Sequence, residues 1–320
     1  MFASDLHQAS ALVTGGTGSF GQIIVRRLLA AGARSVRVLS RDEAKQDAMR
    51  ELVSDKRLTF LTGDVRDADT VVTAMRGAEY VFHAAALKQV PNCERHPMEA
   101  IRTNALGSEN VRRAALACRP IAVVAISTDK ACSPINTMGL CKALMERLML
   151  RPREEEDCDG RPIRFVCVRY GNVIGSRGSV IPLFAARIRA ARPLPITDLS
   201  MTRFLLRLPQ AVDTALEAAI HGGDGELWVR KMPAATIATL VEAMAPPGYP
   251  TVEIGVRPGE KIHEVLLNED EMRRAVDRGD HYVVRQQAVS NRSGEYTSEN
   301  TERLDLASLK RLLAEEDMPT

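Results

Sequence analysis

Aromatic residues are scarce in this sequence: phenylalanine, tryptophan and tyrosine together make up 4 %. A stacking platform for single-stranded nucleic acid needs such rings, so that partner is disfavoured. A surplus of positive charge is also missing. The formal net charge is +2, whereas polyanion-binding surfaces are strongly basic. No apolar run approaches the roughly 20 residues that span a bilayer, so no membrane insertion is expected. The opening MFASDLHQASALVTGG has no basic segment leading into a long apolar one, which argues against a signal peptide. Six cysteines (93, 118, 132, 141, 158 and 167) show neither CxxC nor Cys/His ligand spacing. The expectation is reduced thiols in a cytoplasmic protein, and no metal site.

What the chain does contain is an ordinary globular composition, 45 % apolar and 26 % charged, over 320 residues, enough to bury a large core. Short β-branched runs alternate with helical patterns through the first 170 residues. ALVT (11–14), VRVLS (36–40), LTFLT (58–62), YVFHA (80–84), IAVVAIS (121–127) and IRFVCVRY (163–170) read as buried parallel strands. Strict alternation predicts an α/β fold with a doubly wound parallel sheet of Rossmann type. After Tyr170 the rhythm breaks into Gly/Ser- and Pro-rich stretches with short strands, and helices are predicted near 209–220, 236–244 and at the C-terminal end. The predicted division is a dinucleotide-binding domain over 1–170, to which 200–225 returns, and a smaller interleaved substrate lobe over most of 171–320.

ALVT runs directly into GGTGSFGQ, which opens a helix. Gly16, Gly18 and Gly21 match G-x-G-x-x-G, and Gly15, Gly18 and Gly21 match its GxxGxxG variant. Glycine lets the backbone turn tightly and approach a pyrophosphate at the positive end of the helix. Alone the motif is weak; between the first strand and the first helix it points to a dinucleotide site at Gly15, Thr17, Gly18, Ser19, Phe20 and Gly21. About twenty residues on, an NAD site usually offers a carboxylate to the ribose diol. Here Ser40 and Arg41 occupy that place, with Lys45 one helical turn beyond. A hydroxyl and a guanidinium suit a 2′-phosphate, so NADP is favoured, while Asp42 leaves NAD open. Asp64 and Val65 follow the third strand and are candidates for the adenine; Asp64 could equally cap a helix. Ala84, Ala85 and Ala86 follow the fourth strand as further candidate cofactor contacts.

Residues 127–142 read STDKACSPINTMGLCK. Pro134 precedes a helix predicted over Ile135 to Leu150, on which positions 138 and 142 share a face. Met138, Cys141, Met145, Leu148 and Met149 form an apolar stripe there, and by itself Met138 reads as core. Lys142 is the exception, because an ammonium in such a stripe needs a partner. Several nicotinamide enzymes place tyrosine four residues before such a lysine. Methionine has no ionisable proton, so Met138 cannot act as that tyrosine does.

Taken in order, TGGTGSFG, SRDEAKQ, GDVRD, HAAALKQVP, STDKACSPINTMGLCK, RYGNVIGSRGSVIP, MTRF and RPGEKIHE resemble one group of proteins. It is the UDP-N-acetylglucosamine 4,6-dehydratases of the polysaccharide biosynthesis protein family, among the extended short-chain dehydrogenase/reductases. The resemblance implies an NADP lobe, a UDP-sugar lobe and a homo-oligomer. It implies dehydration of a UDP-N-acetylhexosamine, most simply UDP-N-acetylglucosamine, to a 4-keto-6-deoxy sugar. Oxidation at C4 acidifies the C5 hydrogen, elimination expels the C6 hydroxyl, and hydride returns to C6, with inversion at C5 as in the small soluble members.

By the same resemblance Thr128 lies near the C4 hydroxyl, Asp129 is the acid at C6, Lys130 the base at C5, and Lys142 the holder of the nicotinamide ribose. Lys88, Asn172, Ser176, Arg177 and Ser179 are candidate sugar and diphosphate contacts. Arg203 and Arg257 are candidate diphosphate clamps, and Glu260 the acceptor for the uridine ribose. Two departures stand out: Gln89 replaces a usual histidine, and Met138 a frequent tyrosine, although part of the family also has methionine there. Asp129 or a water relayed through Thr128 could then take the C4 proton. A lysine base must shed its proton near neutral pH, which needs burial or a positive neighbour; an ionised Asp129 opposes this and a protonated one does not. His83 and His263 are expected to be structural.

Two other readings stay open. A nucleotide-sugar 4-epimerase, or a dehydratase giving a different alkene, would use the same cofactor, although epimerisation needs no C6 acid. An NADP-binding sensor or scaffold would keep the cofactor site without turnover.

Overall fold

A computed structural model describes residues 5–152, 162–176, 179–286 and 292–315. The six β-branched runs form β1 (Ser10–Thr14), β2 (Ser35–Ser40), β3 (Leu58–Thr62), β4 (Tyr80–His83), β5 (Ala122–Ile126) and β6 (Arg164–Arg169). β1, β4 and β5 are buried along their whole length, as expected where helices cover both faces of a parallel sheet. With β7 (Glu226–Arg230), β8 (Ala275–Asp277) and β9 (His281–Val284) they make a nine-stranded sheet in the order β8-β9-β7-β6-β5-β4-β1-β2-β3. β3 through β7 run parallel, while β9 is antiparallel to β7 and to β8. The fold is therefore the doubly wound α/β sheet expected from the alternation. Strand order reverses between β1 and β4, so the crevice at their carboxyl ends is where such sheets take ligands.

The stretch PMEAIRTNALGSENVRRAALA is not one regular helix. Pro97–Ala100 and Gly107–Cys118 are α-helical, but Ile101–Leu106 between them is a π-helix. Such wide turns re-aim side chains and recur at functional sites. Here the turn carries Asn104, whose amide accepts from Leu87 N (2.7 Å) and donates to Leu87 O (2.8 Å), fixing the loop after β4.

A second core gathers Ile174, Phe184, Met201, Leu205, Leu240 and Leu309. Around it lie the helices Val180–Arg189, Ile237–Met244 and Leu306–Ala314 and a small sheet in which Thr202–Leu206 pairs with Asn172–Val173 and Ala234–Thr236. The helix Leu208–His221 instead packs on the large sheet, against the helix Ser19–Ala30 and strands β5 to β7. A buried ionic tie joins distant segments: Arg169 on β6 donates to Glu146 Oε1 (3.0 Å), Glu271 (2.8 Å) and Leu266 O (2.7 Å). No helix among the described residues is long and apolar enough to cross a membrane.

Candidate active site

The candidate cofactor, catalytic and substrate residues within the described chain all line one cavity of about 1050 Å³ at the carboxyl edge of the sheet. Arg177 lies outside the described residues.

At one end stands the glycine turn. Gly15 has φ +68°, and a β-carbon there would stand 2.7 Å from Ala85 N, so glycine lets the turn press against the chain leaving β4. Ser40 and Thr17 join by their hydroxyls at 2.9 Å. Arg41 reaches Asp64 at 3.4 Å. The Asp42 carboxylate caps the helix Glu43–Leu52 by accepting from Lys45 N at 3.0 Å, and it also pairs with the Lys45 ammonium. Asp42 thus caps its own helix, and it lines the cavity together with Ser40, Arg41 and Lys45. This cradle of small residues, with a hydroxyl pair and two cations at its rim, fits a dinucleotide.

The chain leaving β5 continues beside the chain leaving β6: Ser127 N donates to Val168 O (2.7 Å) and Asp129 N to Tyr170 O (3.1 Å). A single 3₁₀ turn, Asp129–Ala131, follows with Thr128 as its cap. Thr128 Oγ1 donates to Asp129 Oδ1 at 2.8 Å, and Lys130 Nζ lies 3.1 Å from the same oxygen. Lys130 therefore sits against its neighbour, not apart from it.

The next helix begins at Thr137, two residues later than its expected start at Ile135. Asn136 decides this, since its Oδ1 accepts from Gly139 N (2.8 Å) as an N-cap and its Nδ2 donates to Gly259 O (2.8 Å). The second bond, with Lys261 Nζ donating to Cys132 O at 2.6 Å, draws segment 257–264 against the 3₁₀ turn.

That docking supplies a residue the sequence reading passed over. Glu264, 3 % exposed, faces Lys130 Nζ at 3.1 Å and Arg203 Nε at 3.8 Å. Its only sequence signal was its place at the end of RPGEKIHE, where Arg257 and Glu260 drew the attention. Burial alone would lower the Lys130 pKa, but Asp129 and Glu264 together outweigh it and hold the amine well above its usual range. Thr103, on the π-helix, is a second unforeseen lining residue; its Oγ1 is buried without a hydrogen-bond partner.

Lys142 is 6 % exposed and donates to Ile126 O, with Met145 Sδ at 2.9 Å. Burial pulls its pKa down to about 8, against the raising influence of Cys167 and Glu146. Met138 packs with Cys93, Ala100 and Cys141 while touching the cavity. Tyr170 also lines the cavity, but burial pushes its phenol far up and Phe20 stacks on it at 6.4 Å, so it makes a poor base. His83 is clamped between Thr14 Oγ1 (2.7 Å) and Ser108 Oγ (2.9 Å); burial, then Lys142, drop its pKa to about 3, which keeps it neutral. His263 bonds Thr202 Oγ1 at 2.8 Å and is absent from the lining.

At the far end Asn172 Oδ1 is buried without a partner. Arg203 is anchored by donating to the carbonyls of Thr202 (2.8 Å) and Ile262 (3.1 Å). Ser179 donates to Ser176 O at 2.8 Å, Arg257 lies 3.7 Å from Glu260, and exposed Lys88 follows the chain out of β4.

A doubly wound sheet with a glycine turn beside its switch point has the build of an extended short-chain dehydrogenase/reductase. The chain belongs to the polysaccharide biosynthesis protein family, whose pattern matches residues 11–286. It is 45 % identical over 324 aligned positions to a UDP-glucose 4-epimerase of Rickettsia rickettsii, covering 94 % of each chain. Among solved structures, Pen from Bacillus thuringiensis is 35 % identical with a TM-score of 0.93, over 98 % of this chain and 99 % of that one. The dTDP-glucose 4,6-dehydratase DesIV from Streptomyces venezuelae, at 22 % identity, shares the fold with a TM-score of 0.70 over 79 % of this chain and 86 % of its own.

Proposed function

We propose that the protein is a nucleotide-sugar 4,6-dehydratase that converts a UDP-N-acetylhexosamine, UDP-N-acetylglucosamine first, to its 4-keto-6-deoxy product with inversion at C5. The observation that carries this reading is the contact of Asp129 with Lys130 at the cavity wall, 3.1 Å apart. An elimination across C5 and C6 needs a base at C5 and an acid at C6 side by side, whereas a 4-epimerase needs an acid–base group only at the C4 hydroxyl. On this reading residues 1–170 with 200–225 form the cofactor half, most of 171–320 forms the sugar half, and the working protein is a homo-oligomer.

Gly15, Thr17, Gly18, Ser19, Phe20 and Gly21 would hold the pyrophosphate, and Ser40, Arg41 and Lys45 the 2′-phosphate of NADP. Asp64 and Val65 would meet the adenine, and Ala84, Ala85, Ala86 and Lys142 the nicotinamide ribose side. When bound, NADP supplies a hydride acceptor for C4 and a hydride donor for C6. The chain's own residues manage the protons. Thr128 passes the C4 hydroxyl proton to Asp129, along the 2.8 Å hydrogen bond between them. Asp129, protonated by that step, gives the same proton to the departing C6 hydroxyl, which leaves as water. Lys130 takes the C5 proton and later returns one to C5, with inversion because the sugar ring of the unsaturated intermediate turns its other face to the amine between the two steps. No group at position 138 is required, so methionine there is compatible with turnover. Arg203 and Arg257 would hold the diphosphate, Glu260 the uridine ribose, and Lys88, Asn172, Ser176, Arg177 and Ser179 the sugar side.

A nucleotide-sugar 4-epimerase is the second reading, favoured by the name of the Rickettsia relative. Proton NMR of UDP-N-acetylglucosamine and UDP-glucose with the NADP-loaded protein in deuterated water separates the two. A C6 methyl signal, a hydrated 4-ketone and deuterium at C5 are expected. A galacto-configured product with an intact C6 hydroxymethyl would establish the epimerase instead.

A further inference from the structure

We propose that Glu264 is the proton store of Lys130, a positioning residue that holds the resting ammonium and takes its proton when the amine is needed at C5. The inference rests on the dehydratase reading and deepens it. The amine lies 3.1 Å from Glu264 Oε1 and 3.1 Å from Asp129 Oδ1, and Arg203 is the other charged side chain facing this group. Both carboxyl groups are almost fully buried, and each keeps one oxygen, Glu264 Oε2 and Asp129 Oδ2, without a hydrogen-bond partner. A buried oxygen without a partner is poorly solvated, and each of these two can still take a hydrogen-bond donor. Asp129 is committed to the acid step at C6, which leaves Glu264 as acceptor for the lysine.

Its placement is rigid. Glu264 N donates to Ser298 Oγ (2.9 Å), Ser298 N donates back to Glu264 O (2.8 Å), and Thr202 Oγ1 lies 2.6 Å from Ser298 Oγ. The carboxylate therefore reaches the lysine from a chain segment held by Ser298 on one side and by the 3₁₀ turn on the other.

The protons balance. The Lys130 ammonium and the Glu264 carboxylate become amine and carboxylic acid. The amine lone pair takes the C5 proton, and the C–H electron pair forms the C5–C6 double bond as the C6 hydroxyl leaves with the proton from Asp129. Once hydride has returned to C6, the Lys130 ammonium gives its proton to C5, and Glu264 then restores the ammonium. Because Glu264 keeps the proton displaced from Lys130 until the cycle closes, the rate does not wait on release of a proton to solvent.

The test is Glu264→Gln, with Glu264→Asp as the conservative partner. With UDP-N-acetylglucosamine, wild-type kcat should stay level across neutral and mildly alkaline pH. In Glu264→Gln, Lys130 must discharge to solvent, so kcat should fall at neutral pH and climb about tenfold per pH unit, the slope of one lost proton. Glu264→Asp should restore the level profile. Independently of turnover, the Lys130 side-chain NMR titration in sugar-free protein should move to lower pH in Glu264→Gln; if that variant does not fold, Glu264→Ala, which also removes the carboxylate, gives the same reading. A uniform loss of kcat at every pH, or a Lys130 titration that does not move, would overturn the proposal. If wild type fails to turn over the sugar, the dehydratase reading falls while the titration still decides whether Glu264 governs Lys130.

Discussion

Lys142, on the helix Thr137–Leu150, donates its ammonium to the carbonyl oxygen of Ile126, the last residue of β5. Its second neighbour, Met145 Sδ, is no more anionic than the first, and the side chain is almost wholly buried. On the proposed reading this charge serves the bound cofactor more than the fold. The folded pKa of about 8 lies below the roughly 10.4 of an unfolded lysine, so the unfolded chain binds more protons between those values. Stability should therefore rise with pH across that window, by something on the order of 3 kcal/mol in total. Thermal melts of ligand-free wild type and Lys142→Met should diverge at neutral pH and converge toward pH 10. Parallel curves would show that the ammonium is not strained. The same variant should bind NADP at least tenfold more weakly.

Asp129 and Lys130 touch, yet the proton route separates their failures. Asp129→Asn removes the acceptor of the C4 proton, so neither nicotinamide reduction nor C5 exchange should be seen. Lys130→Met spares C4 oxidation and stops only the second step. Reduced nicotinamide should then build up on mixing with UDP-N-acetylglucosamine, without deuterium entering C5. If Lys130→Met still exchanges C5, the base is another group.

The sheet and the cofactor turn were legible because both rest on local pattern: β-branched runs between helices, and glycines at fixed spacing before a helix. Thr128, Asp129 and Lys130 were singled out by the resemblance, and they follow β5 at the carboxyl edge of the sheet. Glu264 was not legible. It meets Lys130 only because Asn136 and Lys261 pin segment 257–264 to the 3₁₀ turn, a contact set across more than a hundred residues of chain. The π-helix at Ile101–Leu106 likewise left no trace in IRTNAL, whose side chains suit an ordinary helix; Asn104 reveals itself only through its two bonds to Leu87. The helix start moved from Ile135 to Thr137 because a side-chain cap, which propensity does not weigh, outranked the preceding proline.

Arg41 tests the choice of dinucleotide. Asp42 is occupied as a helix cap, and Arg41, about half exposed, can swing from Asp64 to a 2′-phosphate. A hydrogen bond to a charged group contributes about 1.5–3 kcal/mol. Arg41→Ala should thus weaken NADP by roughly tenfold to a hundredfold while leaving NAD affinity nearly unchanged, as read by fluorescence or calorimetric titration. Equal losses for both would show that Arg41 does not discriminate.

Gly139 tests how tightly the catalytic turn is held. A β-carbon at this position would lie 2.2 Å from the carbonyl oxygen of Lys130, closer than any real contact, and 3.2 Å from Pro134 Cβ. Gly139 φ is not in the left-handed region, so the requirement is space and not backbone conformation. Alanine must push the helix start and the 3₁₀ turn apart, at about 1–3 kcal/mol for an overpacked site. The shift would carry Lys130 away from Glu264 and the cavity wall, and a misplacement near 1 Å can cost a hundredfold in rate. Gly139→Ala should accordingly lower kcat far more than it raises KM and bring down the urea midpoint. Full activity in a destabilised Gly139→Ala would mean that the turn moves freely, and that Lys130 does not depend on its fixed place.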